Sequence, residues 1–221
     1  MNTSPFTIEA FAEQIPAQLL SRSGKVFYSG RNAFAVQSVI YVLGVNPGGD
    51  EAESIGEHTT AVLRSHADDW SAYRDESWKG AMPGTYGMAP RVLHLFSTLG
   101  FNPGSVPCSN LVFARSRREG DMGDEMAPLA ELCWPFHAFA IKQLRPRAIL
   151  CFGKTAGNYV RGKVGANALY AEFVEANNRR WHSQAFVGDS GLRVVVATHP
   201  SIADWNATNT DPTQFIREAL Q

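Results

Sequence analysis

The sequence predicts an α/β fold: a three-layer α/β/α sandwich around a central, mostly parallel four-stranded sheet. Three observations carry this. Four short apolar runs, residues 38–43, 106–112, 148–152 and 192–197, are continuous rather than alternating, as strands buried on both faces are. Segments of helical period lie between them, and strands alternating with helices imply right-handed crossovers and a parallel sheet. With 221 residues, 44% apolar and 19% charged, the chain can bury one substantial core without disulfides or a structural metal.

The elements follow in order. Residues 7–20 place Phe11, Ile15 and Leu19 on one face with Ile8 and Ala12, an amphipathic helix that Pro16 kinks or breaks. The first strand, 38–43, stops at Gly44. Residues 50–85 mix seven acids (Glu51, Glu53, Glu57, Asp68, Asp69, Asp75, Glu76) with His58, His66, Trp70, Tyr73 and Trp78. They read as a helical excursion with loops, near the mouth of whatever follows the first strand. A helix over 89–99 ends at Gly100, a second over 126–144 ends before Pro146, a third over 155–161 follows the third strand, and 212–220 closes the chain. Apolar runs on either side of Gly188-Asp189-Ser190-Gly191 form a hairpin that feeds the last strand. No repeat or linker is visible, so residues 1–221 make one domain, with 1–37 as an N-terminal helical extension.

Composition excludes several classes. Lys and Arg number 20 against 21 Asp and Glu, so no bulk field draws the chain to nucleic acid or to an anionic membrane. Residues 1–110 hold 7 basic and 10 acidic side chains and 111–221 hold 13 and 11, a small asymmetry. It matters only if Arg115, Arg117, Arg118, Arg179 and Arg180 share a surface. Cys108, Cys133 and Cys151 form no CxxC pattern, and the six histidines lack ligand spacing, so neither a metal nor any other cofactor is expected. No apolar run is long enough to span a bilayer and no signal pattern opens the chain, so a cytoplasmic monomer without membrane contact is expected.

In open parallel sheets ligands bind beyond the carboxyl ends of the strands. There the sequence places Asn46 within Gly44-Val45-Asn46-Pro47-Gly48-Gly49, Asn110 after Ser109, Gly153-Lys154-Thr155, and His199-Pro200-Ser201. Each has an ordinary reading: turn chemistry for Asn46, a strand-capping histidine, a loop hydrogen bond for Asn110, a helix start at Ser201. Their arrangement at one sheet edge is the informative feature. A phosphate loop is excluded because Ala148 stands where its first glycine belongs. No GxGxxG, HExxH or GxSxG is present either.

The two motifs Gly44-Val45-Asn46-Pro47-Gly48 and His199-Pro200-Ser201 resemble the signatures of the uracil-DNA glycosylase superfamily, most like its mismatch-specific and single-strand-selective branches. Residues 38–201 follow that pattern in order and spacing. The resemblance implies hydrolysis of the N-glycosidic bond of uracil or a related damaged or mismatched base in DNA, in base excision repair. It implies a catalytic pair, Asn46 to orient water and His199 to stabilise the departing base anion. It implies a base pocket of Asn110 reading the base edge, Tyr86 or Phe113 stacking on it, and Gly48 admitting a 5-substituent. It implies DNA contacts from Ser201, Ile202, Trp205 and Arg115. Two alternatives stay open: a non-catalytic or altered member of the same fold binding a base, nucleotide or nucleic acid, and an unrelated cytosolic α/β hydrolase.

Overall fold

The computed structural model describes residues 6–49 and 52–221. The elements in chain order are α1 (Ile8–Ala12), α2 (Arg31–Phe34), β1 (Ile40–Gly44), α3 (Ile55–Arg64), α4 (Ala72–Asp75), α5 (Ala89–Leu99), β2 (Cys108–Asn110), α6 (Met126–Leu144), β3 (Ala148–Phe152), α7 (Lys154–Val164), β4 (Ala168–Val174), β5 (His182–Val187), β6 (Arg193–Ala197) and α8 (Thr213–Ala219). They build an α/β structure around one sheet of strand order β2-β1-β3-β6-β5-β4. The first four strands in that order pair in parallel, and β5 and β4 extend the sheet antiparallel. The parallel core therefore has the four strands expected, but the whole sheet has six. The expected hairpin is β5–β6, with Gly191 at φ 79° in its turn. No signal in the sequence marked β4: it is the edge strand, Leu169 and Tyr170 are exposed, and burial leaves no pattern to read.

Alternation along β1 explains the layering. Tyr41 and Leu43 face one side with Phe136 of α6 and Val160 of α7; Ile40 and Val42 face the other with Val92 and Phe96 of α5 and Ile216 of α8. Two helices begin and end where the sequence sets them, α5 stopping at left-handed Gly100 and α6 at left-handed Arg145. The long helix expected over residues 7–20 is instead α1 followed, after Pro16, by a short 3-10 turn at Ala17–Leu19. In the N-terminal segment Phe11, Phe27 and Phe34 are fully buried; Phe11 and Phe27 meet both Phe34 and Phe136 edge to face, so these side chains are part of the core.

In the acidic excursion, Ser54 and Glu57 form a capping box that starts α3. The S-x-x-E signature was present in the sequence and marks this helix. No helix among the described residues is long and apolar enough to cross a membrane.

Candidate functional site

Register brings the strand ends together. Gly44 pairs with Asn110 at the ends of β1 and β2, and Phe152 pairs with Ala197 at the ends of β3 and β6. The four following segments open onto one cavity of about 800 Å³, which Asn46, Gly48, Tyr86, Asn110, Arg115, His199, Ser201 and Ile202 all line. Eight of the ten residues expected at the site thus share it. Phe113 and Trp205 do not. Phe113 is fully buried against Phe136 and His137, and Trp205 is fully buried against Phe152, so neither reaches a ligand and both are core residues. Tyr86, the other aromatic expected there, lines the cavity and is 42% exposed.

The Asn46 loop is clasped by the chain leaving β2. Backbone N–H groups of Leu111, Val112 and Ser116 donate to the carbonyls of Gly44, Val45 and Pro47 at 2.9, 2.8 and 3.1 Å. Arg115 donates to Ser23 Oγ at 3.1 Å and to the Gly48 carbonyl, so it braces this loop from within. Asn46 Nδ2 donates to the Pro47 carbonyl at 2.9 Å and to Ser116 Oγ at 2.8 Å. Ser116 Oγ in turn donates to the Arg118 carbonyl at 2.7 Å, so its proton is committed and its lone pair must face the asparagine. Both amide hydrogens are therefore used, and Oδ1 is the atom left to accept a hydrogen bond from a water or ligand.

Asn110 depends on Gly44. A Cβ at Gly44 would lie 2.2 Å from Asn110 Oδ1, so only glycine leaves room for that amide. The Asn110 side chain is buried, and its Nδ2 has no hydrogen-bond partner. Thr198 Oγ1, also on the cavity lining, is likewise buried without one. Buried polar atoms are nearly always paired, so two orphans on one lining point to a ligand with polar edges. A Cβ at Gly48 would meet nothing within 4 Å, so the cavity is open there.

His199 lies over Gly153, whose φ of 91° and missing side chain let the ring approach, and edge-on to Phe152 at 6.2 Å. The Ser201 N–H donates to His199 Nδ1 at 3.1 Å, with Ser201 Oγ 2.8 Å from the same nitrogen. Nδ1 is thus an acceptor, and in the neutral ring the proton sits on Nε2 as a donor.

The excursion over residues 50–85 does reach the cavity, as expected, through Tyr73, Glu76 and Trp78. Lys25 and Glu76 form an ion pair there at 2.7 and 2.8 Å, with side chains only 14% and 18% exposed, and Trp78 Nε1 donates to the same carboxylate at 2.8 Å. Tyr28, Arg180 and Trp181 also line the cavity. Sequence reasoning missed Lys25, Tyr28 and Trp181, which nothing local announces because distant loops bring them there. Among the described lining residues, seven are Lys or Arg and one, Glu76, is acidic. No cluster of metal-binding side chains occurs among the described residues. No protein-family model matches the chain, and no curated protein matches it.

Proposed function

We propose that this protein is a monofunctional DNA glycosylase that hydrolyses the N-glycosidic bond of uracil or a related damaged or mismatched base. The observation that carries the reading is the buried, unpartnered Asn110 amide in a cavity that Asn46 and His199 also line. Cleavage of this bond builds negative charge on the departing base and positive charge on the sugar, and needs water at the anomeric carbon. Asn110 offers its free N–H to a base carbonyl. His199, proton on Nε2, donates to the developing anion. Asn46 is too weakly basic to remove a proton, so it holds and aims the water; the reaction lacks the 10²–10⁴-fold that a general base typically supplies.

Charge around the cavity supports a polyanionic substrate. The chain as a whole carries −1, yet the described lining has a net charge of +6, seven cations against one carboxylate. The reaction belongs to base excision repair on this reading, in the cytoplasm, with no cofactor.

The test is a panel of oligonucleotides carrying uracil, hypoxanthine, xanthine or mismatched thymine, single- and double-stranded, read as alkali-labile cleavage. At least one base is released, and Asn46→Ala or His199→Ala abolishes the release. A clean negative across the panel sinks the proposal; binding without release would favour a base-binding protein of the same fold.

A further inference from the structure

Three non-glycine residues hold a left-handed backbone: Lys79 (φ 52°), Arg145 (φ 48°) and Arg180 (φ 47°). Arg145 ends α6, a common place for such a residue. Lys79 and Arg180 are different, because both are cations on the cavity lining. Glycine would take either conformation without the Cβ clash that a side chain meets. Strained residues persist where the surroundings over-determine them, often because the side chain is needed there.

Their surroundings do fix them. Asn177 Oδ1 accepts from the backbone N–H groups of Arg179 and Arg180 at 2.9 and 3.0 Å, and its Nδ2 donates at 2.8 Å to Glu175, a fully buried carboxylate. Arg179 lies 4.0 Å over the Trp181 ring and donates to the Ile202 carbonyl, tying the β4–β5 turn to the His199 loop. Lys79 directly follows Trp78, which is pinned to Glu76 and through it to Lys25. Each strained cation thus sits next to a tryptophan and is braced through a carboxylate.

Several cations elsewhere are committed to carboxylates. Arg22, Arg31, Arg74, Arg91 and Lys163 each meet a carboxylate. The side chains of Lys79 and Arg180 have no ion pair or hydrogen bond among the described residues, and no unprinted one. Lys79 belongs to the wall that Lys25 joins to the chain beside β2, where the Lys25 N–H donates to the Phe113 carbonyl, and Arg180 belongs to the turn at the β4 edge.

We infer that Lys79 and Arg180 contact the phosphodiester backbone of a nucleic-acid strand at the mouth of the cavity. The assignment rests on the glycosylase reading for its choice of polyanion. It assigns two residues to the strand and explains why each is kept where glycine would be easier.

The test measures binding of a labelled oligothymidine of about 12 nucleotides, within common single-strand site sizes, by fluorescence anisotropy between about 50 and 200 mM salt. Lys79→Gln and Arg180→Gln each reduce the slope of log K against log salt by about 0.7, one phosphate contact on a single strand. Lys79→Gly and Arg180→Gly reduce it equally, with Tm at or above wild type. Glutamine variants that keep the wild-type slope overturn the assignment, as does a wild-type protein that does not bind. Base release from a uracil oligonucleotide is scored beside it. Release with unchanged slopes overturns the phosphate contacts alone; reduced slopes without release leave them standing and sink the glycosylase.

Discussion

The loop after β1 and the loop after β6 meet at the same cavity but are held by different means. The Asn46 loop is laced to residues 111–116 by backbone hydrogen bonds at three carbonyls, those of Gly44, Val45 and Pro47. The His199 loop relies on itself and on side chains. Ile202 and Ala203 N–H groups donate to the His199 carbonyl at 3.0 Å, Ser201 sets the ring, and Arg91 reaches the Pro200 carbonyl at 2.6 Å. An acceptor fixed by main chain survives most substitutions around it, whereas a donor set by side chains can be tuned one residue at a time. Under the proposed reaction, the first loop would fix where water sits and the second would set how well the leaving base is stabilised.

The largest expected effect tests the second loop. His199→Ala lowers the single-turnover rate of base release by about 10²–10³-fold, the usual loss when a donor to a developing anion is removed; a loss below tenfold would mean that the histidine is not that donor. The first loop is tested by Asn46→Asp, the substitution that would install a stronger base. Here a carboxylate oxygen would face the Pro47 carbonyl, now 2.9 Å from Nδ2, with no proton to share. The variant loses about 1–3 kcal/mol of stability in urea unfolding and releases base no faster than wild type at pH 7. A gain of about 10²-fold or more, the low end of what a general base supplies, would break the claim that this loop is built for an amide.

Ser201→Ala is milder. The Ser201 N–H still donates to Nδ1, so only one hydrogen bond is lost, and the rate falls about three- to tenfold; a fall as large as that of His199→Ala would show the hydroxyl to be the true orienting group. The smallest effect at neutral pH concerns the support beneath the first loop. Buried His137 receives the Tyr41 hydroxyl at 2.9 Å and donates from Nε2 to the Leu111 carbonyl at 3.1 Å, and burial pushes its pKa down to about 4. The unfolded imidazole takes up its proton below about 6.5, so between that pH and about 4 the unfolded state binds more protons. Stability therefore falls with pH across that window, by up to about 3 kcal/mol, and His137→Gln flattens the profile of urea midpoint against pH.

What the sequence disclosed follows the same division. Strands buried on both faces and helices with glycine stops were legible because burial and capping are written locally; β3, α5 and α6 have the bounds that their residues predict. Position at the strand ends was legible too, since parallel topology alone gathers Asn46, Asn110 and His199. Side-chain direction was not. Phe113 and Trp205 lie close in sequence to site residues yet point into the core, and Arg115 turns inward to brace a loop. The Lys25–Glu76 ion pair was not legible, because its partners are 51 residues apart and meet only through tertiary packing.

Gly44 and Asn110 share a single volume, and that sets how the two positions can vary. A methyl group at residue 44 would overlap the amide at residue 110. Any larger residue at 44 must be matched by a smaller one at 110. Such a change would remove the Asn110 amide while the sheet around it still folds, so the cavity could lose its ligand through a backbone position that carries no side chain of its own.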